Sequence, residues 1–432
     1  MRLEVGTFHV SKVRSAAATE LVGDELRINQ DELIALVMED ATFRHAELAV
    51  VHPGENTRII HVLDTIEPRV KVAGPGGAFP GLIGPMDTVG QGRTHRLAGL
   101  AVMETAEVPW RQTGGLLRVR EGIVDMTGPG ADCSPFSQTV NLVLVLELQP
   151  DCSDEEYDHA IRLAGLKVAD RLARTTVDQA APQYRTYDLT PSDASLPRVV
   201  YVHQIQSQGP FSRTFYYGQH LDQLIPTLVH PNELLDGALV SGNNVGQSMK
   251  TPTWLHCNNP VVQELYDGHG REWNFCGVIL SRGHYYGIDE KQRSAHQVAK
   301  LAQMLDAQGA VVTWEGGGNS IIEAMLTVQS LERAGIKTTI IAYELGGPDG
   351  RATPTLLYSA PEADAIVSCG TYERPVQLPA VERVVGGTHV RLDRAGEATM
   401  LPAVGPLHFD TSLEIYCSVN QVGFGRRRCV AY

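Results

Sequence analysis

The second half of the chain alternates short apolar runs with longer segments whose apolar residues recur at helical spacing. The apolar runs predict strands over 199–205, 275–280, 310–314, 338–343 and 365–368, and the segments between them predict helices over 294–308 and 321–334. Apolar strands separated by helices of this length are typical of parallel βαβ units. We therefore predict an α/β fold, with a three-layer αβα domain and a mostly parallel sheet in this half.

The first half has a different pattern, in which Val, Ile and Thr partly alternate with polar residues over 3–13 and 57–73. This pattern predicts strands. Asn29 with Glu32 forms an N-x-x-E capping signal before one helix, and Ser153 with an acidic first turn precedes a second, longer one. We predict a strand-rich α+β domain over 1–185 and the αβα domain over 186–432. The boundary falls in the Thr-, Asp-, Pro- and Ser-rich segment 175–197, which we interpret as a linker.

Length and composition fit two globular domains, with 432 residues of which 43% are hydrophobic. Neither a membrane-spanning apolar run nor a secretory signal is visible, so we expect a soluble, cytoplasmic protein. Seven cysteines without a CxxC pair indicate reduced thiols. A net charge of −14 argues against a nucleic-acid partner, and we assign the cluster Arg426–Arg428 to a solvated tail or a subunit contact.

A glycine-rich segment over 74–92 leads directly into Arg93 and His95. Such loops can present backbone N–H groups to an anion, and an arginine can bind a carboxylate through two hydrogen bonds. The alternative is a series of tight turns in which Arg93 and His95 make structural hydrogen bonds. The segment lacks phosphate-loop spacing, so it does not predict a nucleotide.

Ligands of open α/β sheets bind beyond the carboxyl ends of the strands. The polar residues that reach these ends are Gln206, Ser241, Asn243, Asn244, Glu315, Asn319, Glu344 and Cys369. Glu315 and Glu344 can act as general acid and base if burial separates their pKa values, or they can be capping or solvated carboxylates. The loop 240–245, which follows the short apolar run 238–240, is the centre of the predicted site.

Several ordered stretches resemble the glycine, sarcosine and betaine reductase component B family, specifically the proprotein of its two small subunits. They are Ile66–Val72 (IEPRVKV), Gly92–His95 (GRTH), Gly128–Ala131 (GPGA), Pro135–Ser137 (PFS), Leu163–Lys167 (LAGLK), Asp236–Ala238 (DGA), Asn258–Val261 (NNPV) and Glu315–Gly316. The resemblance implies a cytosolic reductase of small amino acids or their N-methylated forms. It also implies a proprotein that cuts itself at S-G-N-C, where the cysteine becomes a pyruvoyl group that holds the substrate. A partner selenoprotein subunit then breaks the carbon–nitrogen bond.

The chain departs from this pattern at one position, because Asn244 follows Ser241-Gly242-Asn243 where the family has the cysteine. An amide cannot form the ester or thioester that precedes a pyruvoyl group, so we expect none, unless Ser241 substitutes as the nucleophile. No dithiol pair is present to carry electrons, so reduction would draw on another protein. We expect a small amino acid or carboxylate substrate and a second component B-like subunit as partner.

Our site hypothesis assigns catalytic roles to Asn244, Glu315 and Glu344. It assigns substrate binding to Arg93, His95, Ser241, Asn243 and Asn319. A metal is possible and its ligands are unknown, because no spacing singles out any of His95, His203, His256, Cys257 and the glutamates. The alternative hypothesis is a non-catalytic substrate-binding or scaffold subunit of a reductase-like complex.

Overall fold

The computed structural model describes residues 1–108, 122–191, 193–209, 211, 213–242, 247–349, 351–352, 356–394, 397–419 and 421–422. The predicted site residues Asn243 and Asn244, the cluster Arg426–Arg428 and Cys429 lie outside these residues. Within the described part of the chain, every helix falls short of the length and apolar character needed to cross a membrane. Of the six described cysteines, Cys257 and Cys417 are buried and the other four are half-buried.

The first half is rich in strands, as its alternating pattern predicts. The strands are β1 (Arg2–His9), β2 (Lys12–Ser15), β3 (Glu20–Val22), β4 (Glu25–Ile28), β5 (Phe43–Val51), β6 (Thr57–Ile59), β7 (Val62–Ile66), β8 (Arg69–Ala73), β9 (Gly92–Ala98), β10 (Leu100–Thr105), β11 (Val124–Asp125), β12 (Val140–Leu148) and β13 (Gln183–Asp188). The helices are α1 (Gln30–Met38), α2 (Gly128–Ala131) and α3 (Asp154–Ala173), with 3-10 turns at Pro135–Gln138 and Arg174–Thr176.

Two four-stranded sheets organise this half, in the orders β13-β1-β9-β8 and β5-β12-β10-β7. Helix α3 begins at the predicted cap Ser153, which forms a capping box with Glu156, and its apolar face is buried. Asn29 caps α1 as predicted by accepting from the Glu32 amide, but the Glu32 carboxylate pairs with Thr19 and Arg171 instead of completing a capping box. The cap therefore acts through one hydrogen bond.

The second half contains the predicted alternation of strands and helices. The strands are β14 (Arg198–Ile205), β15 (Phe215–Tyr216), β16 (Gln219–His220), β17 (Thr227–Val229), β18 (Leu239–Val240), β19 (Asn274–Arg282), β20 (Gly309–Trp314), β21 (Lys337–Glu344) and β22 (Ile366–Thr371). The helices are α4 (Pro231–Leu235), α5 (Thr253–Cys257), α6 (Pro260–Gly268), α7 (Ile288–Met304) and α8 (Ser320–Arg333), with a 3-10 turn at Gln247–Met249.

A six-stranded sheet in the order β17-β19-β14-β20-β21-β22 forms the centre of this half. All its pairings are parallel except that of β17 with β19, so the predicted α/β architecture is confirmed. Helix α7 begins earlier than predicted, because Glu290 caps the backbone of Gly287. Strand β18, which precedes the 240–245 loop, pairs with β15 in a separate small sheet.

Short strands near the C-terminus pack against the first half of the chain. They are β23 (Val376–Leu378), β24 (Arg383–Val385), β25 (His389–Arg394), β26 (Glu397–Pro402) and β27 (Leu407–Phe409). Strand β24 pairs in parallel with β6. Next to this pairing, the buried Arg58 guanidinium donates to both Asp125 oxygens and to the carbonyls of Pro379, Ala403 and Gly405. These contacts therefore hold the segment 376–409 against the first half of the chain.

The segment interpreted as a linker contains a strand. Strand β13 pairs along β1, with Arg2 opposite Asp188 and Thr7 opposite Gln183, so it crosses the proposed boundary between residues 185 and 186. Tyr187 also packs in a core cluster with Leu3 and Tyr201. Polar composition concealed this strand because five of its six side chains are exposed or half-buried. The division into 1–185 and 186–432 stays a prediction.

Candidate functional site

Three buried side chains meet where the parallel sheet ends: His203 in β14, His256 in α5, and Glu315 directly after β20. Because β14 and β20 are neighbours, with His203 opposite Thr313, the chain delivers His203 and Glu315 to the same region. Helix α5 brings the third side chain. The His203 Nε2–His256 Nδ1 distance is 3.4 Å, and the His256 Nε2–Glu315 Oε1 distance is 3.7 Å.

Hydroxyl groups orient His203 from behind. Its Nδ1 lies 3.0 Å from Thr313 Oγ1 and 3.1 Å from the Tyr201 hydroxyl oxygen. Asn259 Nδ2 donates to the Tyr201 oxygen over 3.1 Å. The Nε2 atom of His203 therefore faces His256.

The Glu315 carboxylate is held at one oxygen. Its Oε2 accepts a 2.7 Å hydrogen bond from the backbone N–H of Gln206, and the Thr251 hydroxyl also bonds the carboxylate. Burial disfavours the charged form and raises the pKa of Glu315 to about 7. Burial likewise lowers the pKa of His203 to about 3 and that of His256 well below its ordinary value, so both imidazoles are neutral at pH 7.

A second set of buried polar groups surrounds the start of the 240–245 loop. The Lys250 ammonium donates to the carbonyls of Leu63 and Gly242 and lies 3.7 Å from Asp64 Oδ1. Asp64 accepts from both the backbone N–H and the hydroxyl of Thr253, and Thr253 Oγ1 accepts from the Ser241 N–H over 2.9 Å. This chain of contacts fixes residues 241–242 against β7.

Glu104 adds a further carboxylate, opposite Asp64 in the antiparallel pairing of β10 with β7. Both Glu104 oxygens are buried without a hydrogen-bond partner among the described residues. Burial, and then the nearby Asp64, raise the pKa of Glu104 well above its ordinary value. Gly165 of α3 leaves the room for it, since a Cβ there would lie 1.9 Å from Glu104 Oε1.

The predicted anion-binding residues Arg93 and His95 make contacts elsewhere. Arg93 donates to Glu4 Oε2 through Nε at 3.1 Å and Nη2 at 2.7 Å, and its guanidinium lies over the Tyr184 ring. His95 is buried, with Nδ1 3.1 Å from the carbonyl of Thr176. These contacts match the structural alternative for both residues, and substrate binding by either stays a prediction.

The remaining predicted residues lie at several positions. Ser241 is buried beside Thr253, while Asn319 is exposed at the start of α8 and makes no capping hydrogen bond with its side chain. Glu344 ends β21, the strand next to β20, as the glutamate-pair hypothesis requires, although it lies opposite Thr371 of β22. The Cys257 thiol is buried in an apolar cluster, and burial raises its pKa to about 12. Asn243 and Asn244 lie outside the described residues.

Sequence reasoning missed Asp64, Glu104 and Lys250. The available signal was a charged residue within or beside an apolar run, since Asp64 and Glu104 occupy strands whose residues are all buried. Such residues are rarely buried unless they are paired or functional. His203, His256 and Glu315 were among the candidates, but only the sheet and α5 together make them a cluster.

The fold and this polar cluster can be compared with known proteins. The family model of glycine/sarcosine/betaine reductase component B subunits matches residues 1–430. The chain is 36% identical over 443 residues to the glycine reductase complex component B subunits alpha and beta of Acetoanaerobium sticklandii, covering all of both chains. It is 37% identical over 392 residues to the sarcosine reductase complex component B subunit alpha of Peptoclostridium acidaminophilum, covering 89% of each.

The betaine reductase complex component B subunit alpha of the same organism is 37% identical over 398 residues, which is 89% of this chain and 88% of the relative. No solved structure matches the chain. The chain belongs to the glycine/sarcosine/betaine reductase component B family.

Proposed function

We propose that this chain is a reductase component B-like subunit that acts on a small amino acid, or on an N-substituted amino or carboxylate compound, without a self-generated pyruvoyl group. One observation carries the proposal: Asn244 follows Ser241-Gly242-Asn243 in a chain that matches the family along nearly its whole length. The asparagine amide has no thiol or hydroxyl to attack the preceding carbonyl. The subunit would work with a second component B-like subunit that supplies the redox chemistry.

The contacts of Ser241 support the absence of self-processing at this serine. A serine that forms an ester attacks the carbonyl that precedes it, which here belongs to Val240. The Ser241 hydroxyl instead donates to the following carbonyl, that of Gly242, over 3.3 Å. The Lys250 ammonium donates to the same Gly242 oxygen. The hydroxyl is therefore hydrogen-bonded to a carbonyl other than the one it would attack.

The buried cluster offers groups suited to a small zwitterion. Glu315 has one oxygen without a described partner and a pKa raised to about 7, which suits proton exchange with a substrate ammonium near neutral pH. Glu315 and Gln206 keep 6% and 8% of their surface exposed, so they lie at the edge of the cluster. We assign Glu315 the general acid–base role.

The intact mass of the denatured protein tests the absence of a pyruvoyl group. We expect one species at the full-chain mass of 47.0 kDa that does not react with a hydrazine. The matched variant is Asn244→Cys, which restores the S-G-N-C stretch and is expected to yield two fragments, the second of them hydrazine-reactive. Two fragments from the unaltered chain, with a reactive carbonyl on the second, would overturn the proposal.

Ligand binding tests the substrate class. Glycine, sarcosine and betaine are the compounds to titrate, because the relatives' names contain them. We expect at least one to bind, and Glu315→Gln to weaken that binding by about tenfold or more, since a hydrogen bond to a charged group contributes roughly 1.5–3 kcal/mol. The control is Glu47→Gln on the exposed part of β5. If none binds, with or without a partner subunit, the chain is a scaffold subunit instead.

A further inference from the structure

We propose that His203, His256 and Glu315 bind a divalent first-row transition metal of the Zn²⁺ class. One ligand atom from each of these three buried side chains can be chosen so that all lie within 4.8 Å of one another. An ion on the Oε1 oxygen of Glu315 would replace the acid–base role assigned to this residue above, so the metal site is tested on its own, by metal titration without any amino acid present.

The spacing is close to that of a coordination sphere. Zn–N and Zn–O bonds of about 2.0–2.2 Å place tetrahedral ligand atoms roughly 3.3–3.6 Å apart. His256 can offer only one of its two ring nitrogens to an ion, so the His203 Nε2–His256 Nδ1 distance of 3.4 Å and the His256 Nε2–Glu315 Oε1 distance of 3.7 Å belong to alternative ligand sets. With one ligand atom from each residue, all three lie within 4.8 Å of one another, and side-chain rotations bring them closer around an ion.

The competing interpretation is a direct hydrogen-bonded chain from Tyr201 through His203 and His256 to Glu315. The His203–His256 contact of 3.4 Å is a long hydrogen bond, but the His256 Nε2–Glu315 Oε1 distance of 3.7 Å exceeds the 2.7–3.2 Å usual for an N–H···O bond, so the hydrogen-bonded chain ends at His256. His256 Nε2 and Glu315 Oε1 are both buried, and neither has a hydrogen-bond partner among the described residues. An ion or a water molecule can supply the partner that these two buried polar atoms lack.

The surroundings of the three residues favour an ion over water. Histidines that bind a metal usually donate their other ring N–H to a neighbouring acceptor, and His203 Nδ1 lies 3.0 Å from Thr313 Oγ1 for this purpose. The second Glu315 oxygen is fixed by the Gln206 amide.

The donor set also indicates which ions fit. Two imidazoles and one carboxylate are typical of zinc sites that keep an open position, and of non-haem Fe²⁺ sites. Mg²⁺ and Ca²⁺ prefer oxygen ligands, so they fit poorly. An open position on such an ion would bind a small anionic group, for instance a carboxylate.

The test is metal titration of the full-length chain after removal of bound metal with a chelator. We expect one equivalent of Zn²⁺ by calorimetry, and one equivalent of Co²⁺ with the visible absorption of a four- or five-coordinate nitrogen–oxygen site. Glu315→Gln keeps the side-chain shape and an oxygen for the Gln206 amide, and it should weaken Zn²⁺ binding by about tenfold or more. His256→Gln should weaken it at least as strongly.

Two matched controls separate local from general effects. Glu344→Gln changes the same residue type at the end of the neighbouring strand, and His95→Gln removes another buried imidazole, one that contacts Thr176 instead. Both should bind Zn²⁺ like the unaltered chain. If His256→Gln fails to fold, Glu315→Gln decides. The proposal is overturned if the folded, metal-free chain binds no stoichiometric metal, or if Glu315→Gln leaves Zn²⁺ affinity unchanged.

Discussion

Gly316 is the residue that lets the chain turn directly after Glu315. Its φ is +83°, and a Cβ would lie 2.7 Å from both Gln206 Oε1 and His284 Nε2. Gly335, which follows α8, has the same φ but nothing within 4 Å of a Cβ position. Alanine at Gly335 therefore adds backbone strain alone, whereas alanine at Gly316 adds backbone strain and steric crowding.

We expect Gly335→Ala to lower the free energy of unfolding by about 1–2 kcal/mol, the range of backbone strain alone. Gly316→Ala should cost roughly 1–3 kcal/mol more, because the tips of the Gln206 and His284 side chains must shift to make room for the new Cβ. Urea unfolding measures both. Equal costs for the two variants would show that the neighbours of Gly316 move aside freely.

His230 gives the molecule a titratable helix cap. Its ring Nδ1 accepts a 3.2 Å hydrogen bond from the backbone N–H of Asn232 at the start of α4. The backbone N–H of His230 donates to the Glu233 carboxylate. Burial, helped by the N-terminal ammonium, lowers the pKa of His230 to about 4. The unfolded chain, with a histidine pKa near 6.5, therefore binds more protons between these two values.

The stability contributed by His230 should be complete above pH 6.5 and be lost as the pH falls from about 6.5 through about 4. His230→Asn keeps a capping oxygen but does not titrate, so its unfolding free energy should decline less over that window. The control is His9→Asn at an exposed position, which should follow the unaltered chain. Parallel pH profiles for all three proteins would contradict the prediction.

At the scale of elements, two asparagines cap helices of equal length with different consequences. Asn29 caps α1 and Asn259 caps α6, each helix having nine residues. Among the residues that the structure describes, the Asn29 side-chain amide donates to the Ala17 carbonyl. Asn259 also donates to the Tyr201 hydroxyl, and through it supports His203.

Substitution of either asparagine by alanine should cost about 0.5–2 kcal/mol of stability, the usual loss for an N-cap. Only Asn259→Ala should also weaken Zn²⁺ binding, by about 10–100-fold, the effect of removing a group that orients a metal ligand. Thermal unfolding and calorimetric titration of both variants measure the two quantities. If Asn29→Ala weakens metal binding equally, the effect is one of general stability and the proposed support of His203 is wrong.

The elements that the sequence predicts well carry their signals locally. Ser153 and Asn29 mark the starts of α3 and α1, and continuous apolar runs mark β14, β19, β20 and β21. Strand β13 gives no local signal, because it is held as a strand by its pairing with β1, which lies at the other end of the first half of the chain. Its mostly exposed side chains therefore show no apolar alternation, although its partner β1 lies in a segment that does.

The candidate site shows the same limit. Glu315 was predicted from its place after a strand, which is a local feature. The approach of His256 depends on how α5 packs. The burial of Lys250 depends on two carbonyl partners, that of Leu63, which is remote in the chain, and that of Gly242, which lies in a loop. Residue spacing therefore offered several possible ligands, and only tertiary contacts select three of them.

At the scale of the whole molecule, the central sheet interleaves strands from both sides of the 240–245 loop. Strands β14 and β17 precede the loop in the chain, and β19 to β22 follow it. In the sheet the order is β17-β19-β14-β20-β21-β22, so β14 lies between two strands from the other side. Strand β24 also pairs with β6 across the same division.

This interleaving predicts that the two fragments stay associated after the backbone is cut in the loop. A site for a specific protease, inserted between Gly242 and Gln247, gives two pieces when cleaved, yet separating them requires breaking both parallel pairings of β14 and the contacts of Arg58. Under native conditions the cut protein should elute from a sizing column with the uncut 47.0 kDa chain, and only denaturant should separate the pieces. The two pieces cannot elute separately while the strand pairings of β14 are intact. Separate elution without denaturant would therefore show that the sheet does not hold them together.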